Sequence, residues 1–160
     1  PLAAVAGREE LMSHFDLDKV GQESFTYQVG TLSGNPVAAA AGLATLDILS
    51  QPGAYERVYQ NGRKIMTALS DNLGKAGLKV QVVGHPTLFD VFFLDGDVEN
   101  YRDVARSNDK LQKEFNRLLR ERGILKSESK FYLSLAHGDT EISDTVAAVE
   151  NAALELVVDA

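Results

Sequence analysis

The stretch Tyr27-Gln28-Val29-Gly30-Thr31-Leu32-Ser33-Gly34-Asn35-Pro36, running straight into Val37-Ala38-Ala39-Ala40-Ala41-Gly42, constrains this chain more than any other. It is a glycine-punctuated polar loop leading into a helix of very small side chains. Asn35 is an N-cap by type, and Pro36 fits the first helical position, where its missing N–H leaves no bond unmade. The lack of bulk on the first turns lets a neighbouring backbone lie close against the helix. Just ahead of that positive helix end, Gly30, Thr31, Ser33 and Gly34 offer hydroxyls and sterically free amides, which suit an anion such as phosphate. A well-capped helix with no ligand accounts for the same spacing, so spacing alone leaves both readings open.

The rest of the chain reads as a succession of short elements. Residues 1–8 predict a small-residue apolar strand ending at Gly7-Arg8, followed by a short helix over 9–15 and a polar loop over 16–22. The helix after Pro36 is expected to reach about Ser50, where Gln51-Pro52-Gly53 breaks it. Val58, Ile65, Met66, Leu69 and Leu73 then recur at three-to-four spacing, the stripe of a long amphipathic helix closed by Gly74 and Gly77. Alternation at Leu78, Val80 and Val82 predicts a strand, and Gly84-His85-Pro86 a turn. The dense apolar run Leu88–Leu94, interrupted by Asp90, predicts a strand covered on both faces. A helix is expected from about Asn108 to Arg122, capped by Ser107 and stopped by Gly123. Phe131, Leu133 and Leu135 mark a further strand, and the last helix opens near Asp139-Thr140. This β-β-α-β-α order suits a small α+β layer with helices on one face of a mostly antiparallel sheet.

Composition removes several classes of function. The chain has 160 residues, enough for a sizeable core, with 44% hydrophobic and 24% charged residues. It contains no cysteine, which excludes disulfides, thiolate metal ligation and a cysteine nucleophile, and it fits a reducing cytoplasm. A net charge of −7 argues against a nucleic-acid surface. The basic window Lys113–Lys130 interleaves Arg117, Arg120 and Arg122 with Glu114 and Glu121, as a solvated helix face does. No apolar run is long enough to span a bilayer. His14, His85 and His137 are scattered without ligand spacing, so no metal site is expected. There is no Gly-x-Ser-x-Gly elbow, and Asp95, Asp97 and Glu99 read as a solvated turn rather than a calcium loop.

The wording of the opening loop, Tyr-Gln-x-Gly-Thr-Leu-Ser-Gly-Asn-Pro before an alanine-rich helix, resembles the class-III pyridoxal-phosphate aminotransferases, and among them the glutamate-1-semialdehyde aminomutase branch. Pro1-Leu2-Ala3-Ala4-Val5-Ala6-Gly7-Arg8 resembles the segment that follows the cofactor-binding lysine there. Phe131-Tyr132-Leu133-Ser134-Leu135-Ala136-His137 resembles the closing strand before the last helix. Together these landmarks cover nearly the whole chain in the right order. The resemblance implies an α/β, fold-type-I transferase: residues 1–75 as the C-terminal part of the large cofactor-binding domain with a linking helix, and 76–160 as a small C-terminal α+β domain. It implies pyridoxal 5'-phosphate as cofactor, a small-molecule amino donor and carbonyl acceptor, and no nucleic-acid or membrane partner.

Site residues carry over one by one. Thr31, with Gly30 giving the backbone room, is implied to hold the cofactor phosphate of the adjacent subunit, and hence to require a homodimer with shared sites. Tyr27 and Gln28 stand where they line the substrate entrance or pack an interface. The Schiff-base lysine and the aspartate facing the pyridine nitrogen are implied to lie upstream of Pro1. Lys19, Lys64 and Lys75 do not match the lysine, so no catalytic residue is assigned and the chain alone is expected to be inactive. The branch's glutamate before the closing strand is matched by Ser129, with Glu128 one residue earlier, which favours an ordinary aminotransferase. Between Lys126 and His137 there is no arginine for a substrate carboxylate. The alternatives are the intramolecular aminomutase and, in another class, a non-catalytic α/β interaction module.

Overall fold

The computed structural model describes residues 3–158. Contacts divide the chain into two compact units, Pro1–Gln51 and Pro52–Ala160.

The first unit is sparse. Helix α1 (Glu9–Met12) passes into a 3₁₀ turn at Ser13–Phe15, and Asp16 then caps α2 (Leu17–Val20) by accepting from the Asp18 amide at 3.1 Å. The segment read as a polar loop is therefore a one-turn helix, since Asp16 supplies the cap and Gly21 its stop at φ 68°. No strand forms over residues 3–8, because no second strand among the unit's described residues offers ladder partners for its amides and carbonyls. Pro1 and Leu2, which share that expectation, lie outside the described residues. Helix α3 (Pro36–Leu49) begins as read: the Asn35 side chain accepts from the Ala38 amide at 3.0 Å and Pro36 occupies the first turn. No residue of α3 is buried, and Val37, Leu43, Leu46 and Ile48 are all exposed.

The second unit holds the core. Helix α4 (Ala54–Lys75) buries Val58, Ile65, Leu69 and Leu73. Strands β1 (Gln81–His85), β2 (Leu88–Phe92) and β3 (Phe131–Tyr132) form an antiparallel sheet in the order β1-β2-β3, with Val83 opposite Asp90 and Phe89 opposite Phe131. Helices α5 (Tyr101–Val104), α6 (Asp109–Glu121) and α7 (Asp139–Val158) complete the unit. Phe89, Val91, Phe93, Phe115, Leu118, Leu119, Val149 and Leu156 are nearly or wholly inaccessible and form one cluster with the α4 stripe. Phe89 stacks on Phe131 at 5.3 Å between ring centres. The α+β layer thus keeps the expected β-β-α-β-α order except for α5, inserted before α6, and its sheet is antiparallel throughout.

Several local expectations are corrected by tertiary contacts. By its contacts α4 packs with the second unit, to whose core it commits Ile65, Leu69 and Leu73; the expected boundary near residue 75 concerns the domains of the intact enzyme. Asn108, not Ser107, caps α6, accepting from the Lys110 and Leu111 amides at 3.1 and 3.2 Å. The Ser107 hydroxyl instead accepts from the Phe93 amide at 2.9 Å and satisfies the end of the β2 segment. Gly84 and His85 belong to β1, so the hairpin turn is Pro86-Thr87. The unanticipated α5 starts from a capping box between Asn100 and Asp103. Strand β3 is shorter than read, although the Leu133 amide still donates to the Thr87 carbonyl at 3.0 Å.

One close approach positions the hairpin. Gly62, in mid-α4, lies under Pro86: a Cβ built there would sit 1.8 Å from the Pro86 carbonyl oxygen. Beside it, the buried Asn61 donates from Nδ2 to the His137 carbonyl at 3.2 Å, joining α4 to the turn that opens α7.

Candidate functional site

The loop before α3 folds into two overlapping turns. The Ser33 amide donates to the Gly30 carbonyl at 2.9 Å and the Asn35 amide to the Leu32 carbonyl at 3.1 Å. Gly34 sits at φ 72°, a left-handed conformation that glycine adopts without a Cβ penalty. These turns and the Asn35 cap consume the Ser33, Asn35 and Ala38 amides. The Thr31 amide and hydroxyl and the Leu32 amide have no hydrogen-bond partner among the described residues. Thr31 is exposed, and the first turn of α3 carries no acidic residue.

This donor set fits a phosphate: a free hydroxyl, free amides and a 14-residue helix starting beside them, with no carboxylate to repel the anion. The loop also lacks any lysine or arginine, so its own contribution is made of neutral donors and the helix end. A Cβ at Gly30 would meet the Ser33 hydroxyl at 2.8 Å, a contact that rotation of the serine side chain relieves. An open concavity of about 860 Å³ lies alongside. Tyr27, Gln28, Gly30, Leu32, Ser33 and Asn35 line it, whereas Thr31 does not. Gly30 and Thr31 are thus neighbours in one turn that present themselves on different sides of it. Tyr27 is exposed and its ring lies 6.1 Å from that of Phe25.

The histidines hold local structure. His14 Nδ1 bonds the Ser24 carbonyl at 2.7 Å, His85 Nδ1 lies 2.9 Å from the Thr87 hydroxyl, and His137 Nδ1 accepts from the Ser134 amide at 3.0 Å. Among the described residues no group of three or more metal-ligating side chains comes together. No described helix is long and apolar enough to cross a membrane.

The second unit contains a charged pair that no sequence pattern announced. Asp90 and Lys126, separated by 36 positions, have side chains only 5% and 4% exposed, with Nζ 3.5 Å from Oδ1. The Lys126 ammonium also donates to the Ser127 carbonyl at 2.9 Å and lies 5.0 Å from the centre of the Phe131 ring. Burial pushes the Asp90 carboxyl up, against the pull of the Lys126 charge; burial pushes the Lys126 ammonium down, against the pull of Asp90. Asp90 Oδ1 and Asn116 Oδ1 are buried without a hydrogen-bond partner. The one legible signal was an acid inside an apolar strand; its partner could not be read.

Comparison with known proteins places this geometry. No family model matches the chain. Glutamate-1-semialdehyde 2,1-aminomutase of Thermus thermophilus is 38% identical over 156 residues, covering 95% of this chain and 36% of the aminomutase. Among solved structures, an omega-transaminase from Sphaerobacter thermophilus superposes with TM-score 0.82 at 27% identity, covering 95% of this chain and 34% of that one. A transaminase solved with PLP bound gives TM-score 0.80 at 28% identity, covering 96% of this chain and 35% of that one. The chain therefore spans about a third of the length of the relatives it matches. In sequence it is similar to glutamate-1-semialdehyde 2,1-aminomutases and in fold to pyridoxal-phosphate-dependent transaminases of fold type I, and it matches the C-terminal portion of a class-III enzyme of that kind.

Proposed function

We propose that this chain serves as the C-terminal portion of a pyridoxal-phosphate-dependent aminotransferase that moves an amino group between a small-molecule donor and a carbonyl acceptor. In this reading Gly30 and Thr31 take the cofactor phosphate. The observation that carries it is the unpartnered Thr31 hydroxyl and amide, beside the Leu32 amide, at the acid-free start of α3. Pyridoxal phosphate, when bound, supplies an electron sink at the amino-bearing carbon. The chain's residues bind and orient. Thr31 would donate from Oγ1 and N–H, and Gly30, without a side chain, would let the backbone approach the phosphate closely. No lysine of this chain is assigned to the Schiff base, so the chain alone is inactive.

The same reading makes the working enzyme a cytoplasmic homodimer with Thr31 reaching across the subunit boundary. It makes residues 1–75 the end of the large domain with its linking helix, and 76–160 the small domain. The unburied α3, with Val37, Leu43, Leu46 and Ile48 exposed, supports an assembly that covers it. Aminomutase chemistry is the second reading, favoured by relatives that bear that name. Product analysis with glutamate-1-semialdehyde separates the two.

Thr31→Ala in the full-length enzyme tests the phosphate role. Losing one charge-assisted hydrogen bond costs about 1.5–3 kcal/mol, or roughly one to two powers of ten in cofactor affinity, with the fold intact. A heterodimer pairing Thr31→Ala with a subunit lacking the Schiff-base lysine should regain about half of wild-type activity. It does so because one site carries both lesions and the other neither. Activity well below half defeats the cross-subunit assignment, and normal cofactor affinity in the Thr31→Ala homodimer defeats the phosphate role.

A further inference from the structure

Between α6 and β3 the chain has no regular structure; Ile124 packs on the core and its amide donates to the Leu119 carbonyl at 2.9 Å. Leu125, Ser127, Glu128, Ser129 and Lys130 are exposed. Inward, the Lys126 ammonium bonds the Ser127 and Glu128 carbonyls at 2.9 and 3.4 Å and faces Asp90 at 3.5 Å. Asn116 Nδ2 adds a bond to the Glu128 carbonyl at 2.9 Å. Beneath the segment lies a cavity of about 120 Å³, bounded by Ile124 to Ser127 on one side and by Ile65, Phe131 and Ile142 among others on the far side.

We propose that Ile124–Lys130 is a flap over this cavity, latched by the buried Asp90–Lys126 pair, and that it opens while the rest of the second unit stays folded. The pair is poorly matched for pure stabilisation. Both charges are desolvated, and Asp90 Oδ1 lacks a hydrogen bond of good geometry, so the attraction only partly offsets desolvation. Separating the pair returns both charges to water and uncovers the Lys126 stem, Ile124 and the cavity wall, far less apolar surface than unfolding the unit exposes, as a local opening does. The helices behind it are different: Phe115, Leu118 and Leu119 are fully buried and open only with the whole unit. If the pair is a latch, an apolar pair of similar volume should hold the flap more tightly. Removing the lysine alone leaves a buried carboxylate that is relieved only by opening.

Endoproteinase Glu-C cleavage after Glu128 reads the flap in the full chain. Wild type should be cut there before any other site in the second unit, at a rate little changed by sub-denaturing urea, because local opening exposes far less surface than unfolding the unit does. Lys126→Met should accelerate the cut about tenfold or more, and the Asp90→Leu/Lys126→Met double variant should slow it about tenfold or more below wild type. Cleavage that rises with urea in step with global unfolding overturns the proposal, and so does a double variant cut as fast as wild type. If Lys126→Met alone does not fold, the double variant and the urea dependence decide.

Discussion

Replacing Gly62 by alanine sets two physical effects of opposite sign against each other. Gly62 sits in the middle of α4, so helix propensity alone predicts a gain of about 1 kcal/mol. Packing predicts a loss. The new Cβ would lie 1.8, 2.6 and 2.9 Å from the O, C and Cα of Pro86. All three are backbone atoms of the hairpin turn, which cannot rotate aside as a side-chain tip can. Relief to about 3.0 Å from the oxygen requires the hairpin and α4 to separate by about 1.2 Å, in a unit whose core depends on that proximity. Overpacking on this scale costs about 3 kcal/mol, the upper end of the usual range, so the net loss is about 2 kcal/mol. Gly74 provides the control. It lies near the end of the same helix, is exposed, and a Cβ there would meet nothing within 4 Å, so Gly74→Ala should stabilise by roughly 0.5 kcal/mol. Urea unfolding of the full chain followed by far-UV circular dichroism, with an unchanged denaturant slope, measures both. A Gly62→Ala chain as stable as wild type refutes the packing argument.

Two further outcomes follow from particular residues. Asp103 accepts from the Glu99 and Asn100 amides, both at 3.1 Å, and pairs with Arg106. These bonds, that from Glu99 foremost, hold its carboxyl below the ordinary aspartate value of 3.8. Its contribution to stability is therefore present above that value and lost as pH falls through the lower folded-state value. A carboxyl-carbon NMR titration should show a midpoint below 3.8, and a midpoint at or above it contradicts the capping geometry. Mixed with pyridoxal phosphate, the purified chain should develop no stoichiometric absorbance change that one lysine substitution abolishes; such a change would show that a lysine here serves as the cofactor's anchor.

Much of the fold was legible because it rests on interactions between near neighbours in sequence. Asn35 and Pro36 start α3 through a bond spanning three residues, and Gln51-Pro52-Gly53 ends it regardless of what surrounds it. The α4 stripe announced a buried face because residues three and four apart must share one side of a helix. The loop around Thr31 carried the family resemblance for a related reason: turn geometry and a helix start need particular residue types at fixed spacing. What such local chemistry cannot carry is the partner. The 3–8 segment reads as a strand by residue type, yet a strand exists only where another backbone supplies its ladder.

The sequence by itself determined the helices with their own caps and stops, the antiparallel α+β order, and a loop whose residue types suit a phosphate. Tertiary structure alone decided which of two adjacent cap-type residues was used: the Ser107 hydroxyl was claimed by the Phe93 amide, leaving Asn108 to start α6. It decided that α4 belongs with the second unit, because the hydrophobic stripe follows its contacts rather than its position in the chain. It also brought Lys126 to Asp90 and the Pro86 carbonyl to Gly62. Charge attraction and close packing act through space over a few ångströms, and chain spacing does not encode which distant residues will meet at that range.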